Sequence, residues 1–256
     1  MTFSRIVAVS LCLLSILNSC NKDSNPSDAP LLKRTVVTQG DSAAYADFYY
    51  DTLSRLQLIK AGNNNGHSWD ITLEYNGENI PVIIKTDYQQ PNGYTIETAD
   101  TLIYASDKVV KKAGRYYAHT YAYDGRGRLI ADSLVSGTVL NNYASFVYND
   151  NDDIAQIHWF DHSSGGLTES RSMTASYNSK SSPYKSIGKM LYFVLGLDLS
   201  LSSHNRTEAN YNPDNVNQGI ETYRYEYDDH GYLTRMTINS SFSGYQKMET
   251  TDFYYY

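Results

Sequence analysis

The chain has very little cysteine. Its 256 residues include two, Cys12 and Cys20, and both lie near the N-terminus. The chain beyond residue 20 therefore has no thiol, and we expect it to fold without a disulfide. At about 235 residues, it is long enough to bury a core of its own.

Basic residues are in the minority, with 21 Lys and Arg against 28 Asp and Glu and a formal net charge of -7. An acidic protein with scattered cations has no phosphate-binding stripe, so we expect no nucleic-acid partner. Long hydrophobic runs are also missing. The N-terminal run, Ile6 to Leu17, is interrupted by two serines and is shorter than the roughly 20 residues that span a bilayer.

Motifs for catalysis and metal binding are missing as well. On a strand, His158 and His162 would lie roughly 13 Å apart, too far to share a metal. Asn149 to Asp153 is the densest group of side-chain oxygens, and calcium is the alternative there, but hairpin turns use the same residues. His67 to Asp70 contains His, Ser and Asp, the residue types of a nucleophilic triad. No G-x-S-x-G elbow, which would expose a nucleophilic serine, surrounds any serine of the chain. We therefore expect a non-enzyme with no catalytic residue, metal or cofactor.

The N-terminus has the features of an export signal. Arg5 precedes the short apolar run, which ends in Leu17-Asn18-Ser19-Cys20. This ending resembles the bacterial lipoprotein box, and the resemblance implies removal of residues 1–19 and lipidation of Cys20. An ordinary secretory signal is the alternative. Residues 20–34 would then be the lipidated cysteine and a polar, flexible tether. The protein would be anchored to the outer membrane of the cell envelope, in the periplasmic leaflet or at the surface.

Tyrosine is abundant, with 25 residues against 7 Phe, and it recurs before turn residues. Glu221 to Tyr227 alternates strictly between aromatic and polar side chains, which predicts antiparallel strands with one packed face. In the segments 121–130 and 225–233, an Asp follows the tyrosine and a Gly comes three residues later. We expect Gly127 and Gly231 to adopt the left-handed conformation that closes a hairpin.

The spacing of the tyrosines predicts the number of strands. Landmarks separated by roughly 19 to 29 residues, with one double-length gap, indicate repeated hairpins; they are Tyr50, Tyr75, Tyr104, Tyr123, Tyr148, Tyr177 and Tyr227. Tyr211 would mark a degenerate eighth copy in the double gap. One hairpin per copy predicts an all-β antiparallel meander of 14 to 16 strands in a single domain, residues 35–256. So long an array must curl into a barrel or roll.

One stretch, residues 183–197, has a continuous rather than alternating apolar run. It predicts a short helix that plugs or flanks the sheet, and a buried hairpin is the alternative.

The repeated units resemble the tyrosine-aspartate (RHS-type) repeats of secreted bacterial proteins. Over residues 35–256, the chain is similar to Bacteroidota lipoproteins of unknown function with a porin-like fold. The lipoprotein box, the repeat units and the insert from Asn178 to Tyr184 carry this resemblance. It implies a barrel or rolled sheet. The family has no assigned activity, so no catalytic residue can be transferred from it.

We therefore expect a monomeric, lipid-anchored binding or structural module with a glycan or another envelope protein as its partner. Trp69 and Trp159 are the expected anchors for a ligand, because aromatic residues dominate binding surfaces. Two alternatives remain. The first is an integral outer-membrane barrel, which the aromatic C-terminus Phe253 to Tyr256 would fit. The second is a secreted hydrolase.

Overall fold

The computed structural model describes residues 31–163, 166–181, 192–193, 198–212, 218–242 and 245–256. The expected signal peptide, Cys20 and residues 21–30 of the tether lie outside this part of the chain. The strands are β1 (Leu32–Gln39), β2 (Ser42–Tyr50), β3 (Leu56–Asn63), β4 (Ser68–Tyr75), β5 (Pro81–Gln89), β6 (Thr95–Ala105), β7 (Lys108–Ala113), β8 (Ala118–Tyr123), β9 (Leu129–Ser136), β10 (Val139–Tyr148), β11 (Ile154–Ser163), β12 (Gly166–Ser181), β13 (His204–Tyr211), β14 (Gly219–Tyr227), β15 (Leu233–Phe242) and β16 (Tyr245–Tyr255).

The sixteen strands form one closed antiparallel barrel. Each strand pairs with its neighbours in the sequence, and β1 pairs with β16 to close the ring. At this seam Thr35 lies opposite Phe253 and Val37 opposite Thr251. The predicted all-β meander of 14 to 16 strands, closed into a barrel, is confirmed.

The connection between β12 and β13 contains the helical residues that the structure describes. Tyr192 and Phe193 are α-helical, and Asp198–Leu201 forms a short 3₁₀-helix. The rest of the helix expected at 183–197 lies outside the described residues. Among the residues described, no helix has the length and apolar character needed to cross a membrane.

Alternation along each strand separates an apolar inner face from a polar outer one. The inward side chains of Ile59, Ile154 and Ile157 are fully buried. Outward neighbours form ion pairs across adjacent strands, such as Arg34 with Asp47 at 2.6 Å and Arg235 with Asp252 at 2.6 Å. Because the side-chain period of a strand is two, each strand contributes to both surfaces at once.

A set of tyrosine hydroxyls marks the end of the barrel at which the described chain enters, which we call the rim. Each hydroxyl donates to a main-chain carbonyl 14 to 23 residues earlier, at 2.6 to 3.0 Å. The bonds run from Tyr75 to Leu56, Tyr104 to Pro81, Tyr123 to Val109, Tyr148 to Leu129, Tyr177 to Ile154, Tyr225 to Arg206 and Tyr255 to Leu233. These bonds tie neighbouring hairpins together around the rim.

Five of the rim turns share one geometry. In each of these five, a side-chain oxygen of Asp or Asn accepts the amides two and four residues later, at 2.8 to 3.0 Å. The acceptors are Asp51, Asn76, Asp124, Asn149 and Asp228. Three residues after the acceptor the backbone is left-handed, at Ser54, Asn79, Gly127, Asp152 and Gly231. The predicted conformations of Gly127 and Gly231 are confirmed.

Arginine links adjacent rim turns. Arg128 donates to Asp124 of its own turn at 2.7 Å and to Asp152 of the next turn at 2.9 Å. Its guanidinium lies 4.8 Å from the ring centroid of Tyr148. In the stretch considered for calcium, Asp153 accepts from the backbone amide of His204 at 2.7 Å. The oxygens of this stretch therefore act in turns and ion pairs.

The interpretation of Tyr211 as an eighth repeat copy is wrong. Tyr211 ends β13 at the end of the barrel opposite the rim, and its hydroxyl donates to Glu221 at 3.0 Å. In the rim series, Tyr225 and Tyr255 occupy the last two positions. Tyr227, one of the landmark tyrosines of the sequence, instead accepts from Asn205 at 2.6 Å. A tyrosine next to Asn therefore does not by itself identify a rim turn.

We expect Tyr148→Phe to lower the free energy of unfolding by about 1 kcal/mol, because it removes the hydrogen bond from the Tyr148 hydroxyl to the Leu129 carbonyl. Tyr116→Phe is the control, since Tyr116 is 71% exposed and should change stability by less than about 0.5 kcal/mol. Urea unfolding of both variants measures the difference. Equal midpoints for the two would show that the rim bonds contribute nothing.

We expect the barrel to unfold in alkali in step with ionisation of its rim tyrosines. Burial raises the pKa of Tyr104 to about 12, and it raises the pKa values of Tyr148 and Tyr255 further. The folded state holds these phenols neutral, so their contribution is complete below about pH 10 and is lost as the pH rises through the raised values. Phenolate absorbance should therefore show an early phase from exposed tyrosines and a late phase coincident with loss of circular dichroism. Complete ionisation near pH 10 with an unchanged sheet signal would contradict this.

Candidate functional site: the mouth of the barrel

Exposure of the inward side chains increases along the barrel axis. Near the rim, Leu129 and Leu233 are 1% exposed, whereas at the opposite end Ile96 is 38% and Phe242 36% exposed. We call this opposite end the mouth. Its inward side chains can reach both solvent and the interior, so a ligand could enter the barrel there.

The interior between rim and mouth is filled partly by the β12–β13 connection. Tyr192 and Phe193 are buried against inward side chains, with the Tyr192 ring 6.4 Å from Tyr121 and 5.7 Å from Phe146. Lys112 donates to the carbonyl of Phe193 at 3.1 Å. These contacts place Tyr192 and Phe193 inside the barrel, against β7, β8 and β10.

A layer of titratable groups surrounds that filling. Asp132 accepts from the Tyr192 hydroxyl at 2.8 Å, and its other oxygen lies 2.8 Å from Nδ1 of His119. Burial lowers the pKa of Lys112, while the nearby carboxylates act in the opposite direction. Burial, with Asp132 as a smaller cause, raises the pKa of Tyr192 well above its ordinary value. Tyr192 therefore remains a hydroxyl donor, and both oxygens of Asp132 are engaged.

The first aromatic cluster of the mouth consists of His67, Trp69 and Tyr88. Their rings are stacked, with centroids 5.1 Å apart for Trp69 and Tyr88 and 5.8 Å for His67 and Tyr88. Nδ1 of His67 lies 2.6 Å from the Tyr88 hydroxyl. Trp69 and Tyr88 are cross-strand partners on β4 and β5, so the sheet sets their spacing. Such a row of planar rings is suited to stacking against a sugar or another flat ligand.

The second group, the arginine cluster, consists of Trp159, Arg171 and Tyr211 on β11, β12 and β13. The Arg171 guanidinium lies 4.0 Å from the Trp159 ring centroid and 5.6 Å from that of Tyr211. Trp159 and Arg171 are also cross-strand partners. A guanidinium against two aromatic faces keeps its N–H edge available for hydrogen bonds.

Carboxylates near the arginine cluster have other partners. Glu221 accepts from Tyr223 at 2.6 Å and from Tyr211, and Asp161 accepts from the amide of Asn142. Burial, followed by the neighbouring Glu221 charge, raises the pKa of Tyr211 well above its ordinary value. The phenols therefore stay protonated and donate to Glu221. Within the described ranges, no three His, Cys, Asp or Glu side chains come together as a metal site.

The structure places both predicted anchors on the inner wall of the mouth. Trp69 on β4 and Trp159 on β11 pack at the margin of the core and are seven strands apart in the ring of sixteen. Sequence reasoning missed Tyr88 and Arg171, because their neighbours come from other strands. The imagined triad is not assembled, since His67 contacts Tyr88 while Asp70 pairs outward with Lys60 at 2.6 Å.

Comparison with solved structures shows a related fold. A porin-like protein from Bacteroides uniformis superposes with a TM-score of 0.59 at 12% identity, covering 88% of this chain and 98% of that one. A porin-like protein from Bacteroides vulgatus gives a TM-score of 0.43 at 10% identity, covering 89% and 99%. No family model matches the sequence, and no curated protein matches it. The chain therefore has the fold of a porin-like protein of Bacteroides.

Proposed function

We propose that this protein is a non-catalytic binding module of the cell envelope, anchored by lipid at Cys20, which takes a saccharide into the mouth of its barrel. The observation that carries the proposal is the stacked cluster of His67, Trp69 and Tyr88 on the inner wall of a solvent-accessible mouth. Aromatic side chains in a concave polar site commonly supply the contact area for a ligand.

The distribution of charge favours a barrel surrounded by water over an integral outer-membrane barrel. Lipid-facing positions of a membrane barrel are apolar, and its lumen is polar. Here the outward face has ion pairs, including Lys60 with Asp70 and Arg235 with Asp252, while the inner face is mostly apolar. Isolated charges in lipid cost about 2 to 4 kcal/mol at the midplane, so this outer surface suits water.

The direction of chain entry supports an anchored arrangement. β1 begins at Leu32 at the rim, and the proposed lipid lies eleven to twelve residues before it. A short flexible tether would hold the rim near the membrane and direct the mouth, at the far end of the barrel, toward solutes. This orientation suits a binding protein, because its ligand reaches the mouth without passing the bilayer.

The hydrolase alternative has less support. His119 and Asp132 form the best oriented pair for acid–base chemistry, but Asp132 also accepts from Tyr192. The His119 ring is flanked by Tyr117 and Tyr121 at 6.0 and 6.1 Å between centroids. A catalytic histidine must reach its substrate, whereas this one is packed beside the filled centre of the barrel. A structural role in holding the β12–β13 connection fits these contacts better.

Binding can be tested by tryptophan fluorescence, because Trp69 and Trp159 are the two tryptophans of the chain. We expect residues 21–256, prepared without detergent, to change emission on titration with neutral and acidic oligosaccharides. Trp69→Ala should weaken binding at least about tenfold, as truncation of a buried aromatic anchor does. Tyr49→Ala, which removes an outward aromatic that is 41% exposed, is the matched control. A folded protein that responds to no saccharide would refute the binding role.

Anchoring can be tested with the two cysteines. We expect the full-length chain, expressed in a bacterium fed an alkyne-labelled fatty acid, to incorporate label and to sediment with membranes. Cys20→Ser should abolish both, whereas Cys12→Ser should keep both, since Cys12 would leave with the signal. Label in the Cys20→Ser variant would contradict lipidation at this residue. If residues 21–256 required detergent to stay in solution, the integral barrel would be supported instead.

A further inference from the structure

The pairing of Arg171 at the mouth is unlike that of the structural arginines. Arg34, Arg128 and Arg235 each bind a carboxylate at 2.6 to 2.7 Å. The Arg171 side chain makes no hydrogen bond or ion pair with any residue that the structure describes, and its contacts are with the rings of Trp159 and Tyr211. Its side chain is nevertheless exposed at the mouth.

The two rings hold the guanidinium in one orientation. A stacked guanidinium loses less conformational freedom on binding than a free one, and its planar fork matches the two oxygens of a carboxylate. The hydrogen bonds of the carboxylates on the same wall come from neutral groups and not from Arg171, since Glu221 accepts from Tyr211 and Tyr223 and Asp161 accepts from Asn142. Among the residues that the structure describes, the cluster therefore presents an oriented guanidinium with no carboxylate partner.

We propose that Arg171 is the anion-binding residue of the mouth and that the ligand is a saccharide bearing a carboxylate, such as a uronate. This inference rests on the proposed saccharide-binding function and names the chemical class of the ligand. The carboxylate binds the Arg171 fork, and the face of a sugar ring stacks on exposed aromatic rings of the mouth. Water and counter-ions leave the guanidinium edge when the ligand enters.

The test compares two probes of equal length, a galacturonate tetrasaccharide and a neutral galactose tetrasaccharide, by titration calorimetry on residues 21–256. We expect the wild type to prefer the uronate by at least about tenfold, the value of a charge-assisted hydrogen bond. Arg171→Gln should remove that preference, so that the variant binds the two probes with equal affinity. Arg171→Lys should recover only part of it, because ammonium lacks the bidentate fork.

Arg224→Gln is the matched control, since it removes the same charge from an exposed outward position on the neighbouring wall. We expect it to preserve the preference, which separates local recognition from net charge. Equal affinity of the wild type for both probes, or a preference unchanged by Arg171→Gln, would overturn the role of Arg171 and leave saccharide binding standing. If neither probe bound, the saccharide-binding function would fail, and this inference with it.

Discussion

Pairing of β1 with β16 is the contact on which the rest of the structure depends. An open sheet of sixteen strands would leave two rows of unpaired backbone groups and would twist beyond what flat packing allows. Closure removes both edges and creates an interior that must be filled or hydrated. The register at the seam places Thr35 and Val37 on the inner face together with Phe253. The first and last strands of the chain therefore complete the same core.

A ring of sixteen strands encloses more space than its own side chains fill easily, since barrels of this strand number can contain an aqueous channel. Here Tyr192 and Phe193 from one connection occupy part of that space. The polar groups that receive them, Lys112 and Asp132, are satisfied by that contact. The apolar interior and charged exterior together are the opposite of the pattern that lipid imposes on a membrane barrel.

Local patterns in the sequence were sufficient to predict the hairpins. Alternation at 221–227 predicted a strand with one packed face, and Gly127 and Gly231 have the predicted left-handed backbone. The same conformation at Ser54 and Asp152 was harder to foresee, because neither is a glycine and the turn is stabilised by the preceding Asp or Asn. Tyr211 was misassigned for a related reason: a tyrosine followed by Asn has the same local pattern at either end of a barrel. The contact of Arg171 with Trp159 depends on the register between β11 and β12. That register cannot be read from a short segment of the sequence.

The turns of the rim repeat one geometry more often than those of the mouth do. Five rim turns each combine a capping Asp or Asn with a left-handed residue, and the rim tyrosines donate to carbonyls of the preceding hairpins. Substitution there affects two hairpins at once. Mouth residues have fewer such obligations: Trp69 and Arg171 make side-chain contacts with neighbouring rings, outside the main-chain bonds that close the ring. These two side chains can therefore change without loss of the hydrogen bonds that hold the rim together.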